Sequence, residues 1–457
     1  MLLSLFFIFS LFLTITILSS LSAEERNCLF APPTIISAHA QDEKQSTNTK
    51  SSVGKELPRV IDSRFHVEVL IDGLQLPTAM DFLGPNDILV LEKNKGTVQR
   101  IVNGHMLDKP LLDVNVNEDN ERGMAGIAVS KSIPGHTYVF LYYTEAEGRD
   151  GGKPIGDRFY RYEFVNNKLV NPKLILDIQI TAHNYHHGGK ILIGPDKNVY
   201  LLVGSVSSDK SDRLDTMAMN IKDALQPDGR AGILRFTQDG KPVGKGILGN
   251  KYPLNLYYAY GMRNGFGMGF DPISKRLWDT ENGPTFGDEI NLVKPGFNSG
   301  WKKIQGIWED RGFKTRGIAN ADDINKLVNF GGKGKYRHPE FVWKDPVGVT
   351  ALTFLNSDKY GKEYQNDMFV GDINSGSLYH FKLNQNRTEL SLNKPLNDKI
   401  VDNYNEMKGI RFGEGFSGTG QKGFVGITDI KVGRYDGYLY IVSFGQGKIF
   451  KIVPNLQ

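Results

Sequence analysis

Residues 437–452 decide the fold class. The stretch reads Gly-Tyr-Leu-Tyr-Ile-Val from Gly437 to Val442, and Gly-Lys-Ile-Phe-Lys-Ile from Gly447 to Ile452. Each half is a short run of β-branched and aromatic residues that begins at a glycine, which is typical of a β-strand and not of a helix. The residues between the halves include Gly445, so the two strands are predicted to form a hairpin.

The same pattern, an apolar strand followed by a second strand, occurs five more times along the chain. The other copies are residues 86–91 with 96–100, 136–141 with 158–162, 198–203 with 232–236, 275–278 with 288–292, and 366–370 with 376–381. Six copies predict an all-β, six-bladed β-propeller of four-stranded antiparallel blades, because blades around an axis bury one another. The alternating segment His66–Ile71 is predicted to be the N-terminal strand that closes the last blade. A β-sandwich with insertions is the alternative architecture.

Composition agrees with a turn-rich β protein. The 457 residues include 51 Gly, and 11% of them are aromatic. The net charge of +4 comes from 55 basic and 51 acidic residues that are spread along the chain, so nucleic acid is not an expected partner. The one cysteine, Cys28, precedes the expected folded part, which excludes a disulfide or a cysteine-based zinc site there.

The N-terminal 60 residues differ from the rest. Residues 1–23 are almost wholly apolar or hydroxylated and are followed by Glu24, Glu25 and Arg26, which predicts a signal peptide or an N-terminal membrane anchor. Residues 24–60 are predicted to be a disordered linker, because residues 41–56 contain a single Val as their only aliphatic residue. Residues 61–457 are predicted to form the propeller. We therefore expect an extracytoplasmic protein, secreted or tethered at the cell surface.

Two polar groups precede predicted strands. His186 stands before a Gly-Gly pair, where an imidazole is suited to taking a proton, although a histidine that merely caps a turn is the simpler reading. Arg263 and Asn264 place a permanent cation beside an amide, which suits an oxygen that gains negative charge. The same pattern fits an arginine that has only a structural role and bridges neighbouring blades.

A tight backbone corner predicts a metal site. The Gly283–Pro284 corner can present two successive carbonyl oxygens to a hard cation such as calcium, with Asp288 close by in sequence. Glu289 is expected to be solvated at a strand edge. The histidines at 183, 186 and 187 leave a second metal site open.

The chain resembles the soluble quinoprotein glucose dehydrogenase and sorbosone dehydrogenase family, from about Leu74 to Ile452. The motifs that carry the resemblance occur in the order that the family has: residues 76–80, 121–128, 186–196, 232–235, 260–271 and 281–301. The family consists of six-bladed propellers that use pyrroloquinoline quinone (PQQ) and calcium.

The resemblance implies a role for each matching residue. His186 would take the proton of the sugar hydroxyl while hydride passes to the quinone. Arg263 and Asn264 would contact the quinone oxygens, and Gly283 and Pro284 would hold calcium. Glu121 stands where the glucose enzymes have a substrate-contacting Gln, which favours a sugar other than glucose.

Four positions depart from the family. Asn374 replaces a Lys that pairs with a PQQ carboxylate, and Gly426 and Thr428 replace two Arg with the same task. Each lost charge-assisted bond weakens binding by about 1.5 to 3 kcal/mol. Tyr185 replaces the acid that precedes the base. The cations at 408, 411 and 422 are candidate substitutes for the lost ones.

Three functions follow from these patterns. The first is an exported PQQ- and calcium-dependent dehydrogenase of an aldose or related polyol, with an external electron acceptor. The second is a non-enzymatic cell-surface propeller that binds carbohydrate or a protein partner and has lost PQQ. The third, metal-dependent hydrolysis of an ester or lactone, lacks the acidic and amide cluster that it would need.

Overall fold

The computed structural model describes residues 57–179, 182–210, 213–307, 321–417 and 425–455. The chain is an all-β propeller. In these residues the strands form six sheets. They are numbered I to VI along the chain from Pro77 onward, and the earliest strand of each sheet from that residue on is called its first strand. The predicted signal peptide or anchor and most of the predicted linker lie outside the described residues. No helix within the described ranges is long and apolar enough to cross a membrane.

The first three sheets follow one another along the chain. Sheet I contains β3 (Pro77–Gly84), β4 (Asp87–Glu92), β5 (Thr97–Val102) and β6 (His105–Met106), and β7 (Leu112–Asp113) pairs with β5. Sheet II contains β8 (Met124–Ser130), β9 (Tyr138–Ala146), β10 (Pro154–Val165) and β11 (Lys168–Gln179). Sheet III contains β12 (Gly188–Ile193), β13 (Val199–Val203), β14 (Gly232–Phe236), β15 (Tyr257–Tyr260), β19 (Phe297–Asn298) and β20 (Lys335–Tyr336).

The other three sheets complete the described strands. Sheet IV contains β16 (Gly267–Phe270), β17 (Leu277–Glu281), β18 (Asp288–Val293), β21 (Phe341–Trp343) and β25 (Ile400–Val401). Sheet V contains β22 (Val349–Phe354), β23 (Met368–Asp372), β24 (Leu378–Phe381), β26 (Arg411–Glu414) and β1 (Arg59–Val60). Sheet VI contains β27 (Ile427–Val432), β28 (Leu439–Ser443), β29 (Lys448–Pro454) and β2 (Phe65–Ile71).

The helices are short. In the described ranges the α-helices are α1 (Ala321–Lys326) and α2 (Tyr404–Gly409), and the 3-10 helices span Met217–Met219, Leu254–Leu256 and Leu396–Asp398. The side chain of Asn403 caps α2, because it accepts hydrogen bonds from the N–H groups of Asn405 and Glu406.

The first strands of the six sheets contact each other in a closed cyclic order: β3, β8, β12, β16, β22, β27 and again β3. Neighbouring sheets pack through their faces, so a middle strand such as β13 is buried along its whole length. The ring of Phe159 in sheet II lies 5.5 Å from that of Phe236 in sheet III. This arrangement differs from the two stacked sheets of a β-sandwich.

Glycine permits the close approach of the first strands. A Cβ on Gly126 of β8 would lie 1.8 Å from the carbonyl oxygen of Gly189 in β12. Any other residue at position 126 would therefore force β8 and β12 apart.

Two predictions need correction, the number of strands in each sheet and the end of the linker. Sheets I, III, IV and V have more than four strands in the described ranges, because short strands of two or three residues pair with the outer parts of these sheets. The predicted linker, 24–60, ends too late, because Arg59–Val60 pairs with Gly413–Glu414 and Val60 is buried. A hydrophobic-pattern argument does not detect strands this short.

Candidate functional site

A cavity of about 670 Å³ opens where the first strands of the sheets begin. Loops that lead into β8, β12, β16 and β22 line it, together with hairpins of sheets I, IV and V. Every residue predicted for the site lies on its wall: Glu121, Tyr185, His186, Arg263, Asn264, Gly283, Pro284, Asp288, Asn374 and Thr428. Tyr185 and Asn374 are exposed, Tyr185 with 48% of its surface.

His186 is buried and held in an unusual backbone conformation. Its φ is 65°, in the left-handed region that non-glycine residues seldom adopt, and such strain is typical of functional positions. The carboxylate of Glu121 stabilises this conformation, since Oε2 accepts from the N–H of His186 at 2.7 Å and from that of His187 at 3.2 Å. The imidazole Nδ1 lies 3.2 Å from Ser205 Oγ. The pKa of His186 is lowered to about 3, by burial and then by the nearby charge of Arg263, so the ring is neutral at pH 7.

The neighbouring histidine has a different environment. His187 Nδ1 lies 2.7 Å from Asp157 Oδ2, and both side chains are buried. Among the described residues no group of three or more His, Cys, Asp or Glu side chains is arranged to hold a metal ion. The histidine metal site that the sequence left open is therefore not formed, because His186 and His187 face different partners.

Glu121 connects His186 to the amide of Asn264, which precedes the next sheet. Asn264 Nδ2 donates to Glu121 Oε1 at 3.0 Å and to Oε2 at 3.1 Å. Burial raises the pKa of Glu121, and the nearby His187 and the two backbone N–H groups partly offset this. Glu121 lines the cavity, as expected for a substrate contact, but its carboxylate also positions His186 and Asn264.

Arg263 uses most of its hydrogen-bonding capacity within the protein. Nε and Nη2 donate to Asp209 Oδ1 and Oδ2 at 2.8 and 3.1 Å, while Nη1 donates to the carbonyls of Asn282 at 3.1 Å and Gly283 at 2.8 Å. The guanidinium also lies 5.3 Å from the ring centre of Trp301. A guanidinium has five N–H groups, so one on Nη2 is left for a bound molecule.

Asp209 belongs to the site, although the sequence analysis did not identify it. Besides holding Arg263, its Oδ1 lies 3.9 Å from His186 Nε2, and its side chain is 45% exposed. Tyr185 stands where the family has an acid. Asp209 places a carboxylate beside the imidazole from a different position in the chain. No motif surrounds Asp209, and only the fold brings the loop after β13 to the loop before β16.

The Gly283–Pro284 corner is fixed by Asp288. Asp288 Oδ1 accepts from the N–H of Gly283 at 3.0 Å. Asp288 Oδ2 accepts three further N–H groups, at 2.7 to 3.2 Å, from residues 347, 348 and 349. Burial raises the pKa of Asp288 to about 6, and these N–H groups oppose the shift. The sequence predicted Asp288 as a metal ligand, and this stays a prediction; in the structure its oxygens hold the corner and the loop beside it.

Glu289 was expected at a solvated strand edge, and this was wrong. It is buried in the middle of sheet IV, and Asn291 Nδ2 donates to its Oε2 at 3.3 Å. Strand β21 covers the edge of β18 that the sequence left open. Burial, and then the nearby Glu281, raises its pKa well above the usual value.

The positions that lack the family's cations remain neutral in the structure. Asn374 and Thr428 line the cavity, and Thr428 Oγ1 donates to the carbonyl of Pro77 at 2.9 Å. The substitutes considered from the sequence lie elsewhere. Arg411 Nη1 bonds Glu414 Oε2, Lys408 packs over the ring of Tyr404, and neither lines the cavity. Lys422 lies outside the described residues.

Two lysines that the sequence analysis did not identify line the cavity with Arg263. Lys190 and Asp429 form a buried ion pair. Lys93 is half-buried on the hairpin that joins β4 to β5. Its Nζ donates to Asn94 Oδ1 at 2.9 Å and to the carbonyl of Glu118 at 3.0 Å.

The chain is similar to several sugar dehydrogenases. It is 25% identical over 394 residues to the aldose sugar dehydrogenase YliI of Escherichia coli, which covers 85% of this chain and 93% of that protein. It is 26% identical over 286 residues to quinoprotein glucose dehydrogenase B of Acinetobacter calcoaceticus, which covers 58% of this chain and 57% of that protein.

A solved structure and a family profile agree with these relatives. The PQQ-bound aldose sugar dehydrogenase of Streptomyces coelicolor has a TM-score of 0.60 at 20% identity, covering 86% of this chain and 99% of that one, which shows the same fold. The profile "Glucose / Sorbosone dehydrogenase" matches residues 74–403, most of the folded part. The chain therefore belongs to the glucose/sorbosone dehydrogenase family.

Proposed function

We propose that this protein is an exported, PQQ- and calcium-dependent dehydrogenase that oxidises an aldose or a related polyol and passes the electrons to an external acceptor. The observation that carries the proposal is the neutral imidazole of His186, which is strained, buried and set on the wall of a cavity that also presents Arg263 and the Gly283–Pro284 corner. Membership of the family and the PQQ-bound relative support it.

The cavity fits the cofactor in size and in part of its chemistry. A volume of about 670 Å³ is within the range of small-molecule sites. Asn264 Oδ1 is buried and has no hydrogen-bond partner among the described residues, an unmet acceptor of the kind that a ligand N–H or O–H satisfies. The carbonyls of Gly283 and Pro284 are the expected calcium ligands, and the carbonyl of Gly283 now accepts from Arg263. When bound, PQQ would accept the hydride and calcium would polarise it.

The protein's own residues prepare the substrate. His186, unprotonated at neutral pH, takes the proton of the sugar hydroxyl. The negative charge of Asp209 stabilises the imidazolium that results, whereas the positive charge of Arg263 destabilises it. Arg263 itself stays oriented by Asp209 and offers its remaining N–H to an oxygen in the cavity.

The architecture and the location belong to the same proposal. Each of the six sheets is taken as one blade, and β2 closes the blade of sheet VI by pairing with β29. Residues 1–23 would direct export or tether the protein to a membrane, with residues 24–56 as a linker.

The first experiment is a calorimetric titration of PQQ into the protein from Leu57 onward, with calcium and then with a chelator, followed by a dye-reduction screen against aldoses. We expect calcium-dependent binding and turnover with at least one sugar. His186→Ala should lower turnover by about 100-fold or more and leave PQQ binding intact. Unchanged turnover in this variant would exclude His186 as the base.

The neutral Asn374 and Thr428 favour a second candidate, a propeller that no longer binds PQQ and instead binds carbohydrate or a protein partner. On this view no PQQ binding is seen at high micromolar concentration, and no sugar reduces the dye.

A further inference from the structure

Lys93 lies opposite the catalytic side of the cavity. It belongs to sheet I, whereas Arg263 and the Gly283–Pro284 corner belong to the loops of sheet IV. In the cyclic order of first strands, β3 of sheet I and β16 of sheet IV are three steps apart in either direction. A planar molecule that has one edge at Arg263 and spans the cavity would therefore have its opposite edge towards sheet I and Lys93.

The ammonium of Lys93 makes no ion pair within the part of the chain that the structure describes. Both groups to which it donates are neutral oxygens, and it forms no ion pair with any residue in the described ranges. The other two cations on the wall are paired, Arg263 with Asp209 and Lys190 with Asp429. Burial lowers the pKa of Lys93 to about 8, and the charges of Glu118, Glu121 and Asp119 oppose the shift, so the ammonium is mostly charged at pH 7.

A half-buried ammonium that donates only to neutral oxygens keeps part of its desolvation cost, even with carboxylates nearby, and a bound anion would lower that cost. We propose that Lys93 binds a carboxylate of the cofactor and replaces the cationic contact that is missing at Asn374 and Thr428. This rests on the proposed function, because it assigns one more cofactor ligand to the same cavity.

The test compares PQQ with its neutral trimethyl ester in the calcium-loaded protein, by calorimetry at pH 7. Lys93→Met should raise the Kd of PQQ by about 10- to 100-fold, the value of one charge-assisted contact, and leave the Kd of the ester nearly unchanged. The matched control is Lys95→Met, on the same hairpin but exposed, which should bind both molecules as the wild type does.

A second variant controls for misfolding of Lys93→Met. Lys93→Gln keeps a donor for the carbonyl of Glu118 but removes the charge, and it should lose the preference for PQQ over the ester in the same way. Equal Kd values of PQQ for the wild type and both variants would overturn the role of Lys93 while leaving the dehydrogenase intact. A wild type that binds no PQQ would overturn the proposed function itself, and the role of Lys93 with it.

Discussion

His186 shows how a single residue can be tuned by its neighbours. Its left-handed backbone is held by the carboxylate of Glu121, and its ring is kept neutral by burial and by Arg263. Sequence reasoning placed His186, Glu121, Arg263 and Asn264 at one site, and the structure brings them together. Sequence reasoning could not foresee that the carboxylate of Glu121 would also hold the loops of His186 and Asn264 in place.

The lowered pKa of His186 predicts a dependence of stability on pH. Between pH 3 and 6.5 the unfolded chain binds a proton at this imidazole that the folded chain does not, so its contribution to stability grows as the pH rises. From pH 4 to 6.5 we expect the wild type to gain about 1 to 3 kcal/mol of unfolding free energy relative to His186→Asn.

Urea denaturation of both proteins at several pH values measures this difference. His105→Asn, on the exposed strand β6, controls for the loss of an imidazole. A constant difference between the wild type and His186→Asn over this pH range would contradict the assigned shift.

At the scale of elements, the β17–β18 hairpin depends on one buried carboxylate. Asp288 accepts four backbone N–H groups, from the corner at Gly283 and from the loop before β22. Gly283 is itself needed, because a Cβ there would lie 1.9 Å from the carbonyl oxygen of Phe286. The acid predicted as a metal ligand thus holds the backbone of the corner and of the neighbouring loop.

We expect Asp288→Ala to lower the free energy of unfolding by about 3 kcal/mol or more, since it leaves four N–H groups without their acceptor. Denaturant unfolding measures the loss. Asp345→Ala, at an exposed position of the neighbouring loop, should change stability by less than about 0.5 kcal/mol. Wild-type stability of Asp288→Ala would show that the corner holds without this carboxylate.

At the scale of the whole molecule, the two ends of the folded part meet in sheet VI. Strand β2 pairs with β29 over its length, with Phe65 opposite Pro454 and Val69 opposite Phe450. Because β29 would otherwise present an open edge, β2 ties the start of the domain to its end.

Truncation tests this closure. A chain that begins at Leu57 should unfold in one cooperative thermal transition, and one that begins at Ile61, without β1, should do so at a somewhat lower temperature. A chain that begins at Gly73 also lacks β2, and we expect it to lose the cooperative transition or to aggregate. Cooperative unfolding of this last chain near the temperature of the first would show that β2 is dispensable.

The sequence by itself determined what local pattern encodes. The repeated strand pairs predicted an all-β propeller, and the motifs from 76–80 to 281–301 indicated the family and the residues around its cavity. Only the tertiary structure decided the roles that depend on distant partners. Asp209 reaches His186 and Arg263, Asp288 accepts four backbone N–H groups, Glu289 is buried under β21, and Lys93 makes no ion pair with a described residue. Strand periodicity is a property of neighbouring residues, whereas burial and charge pairing arise only when loops of different sheets meet around one axis.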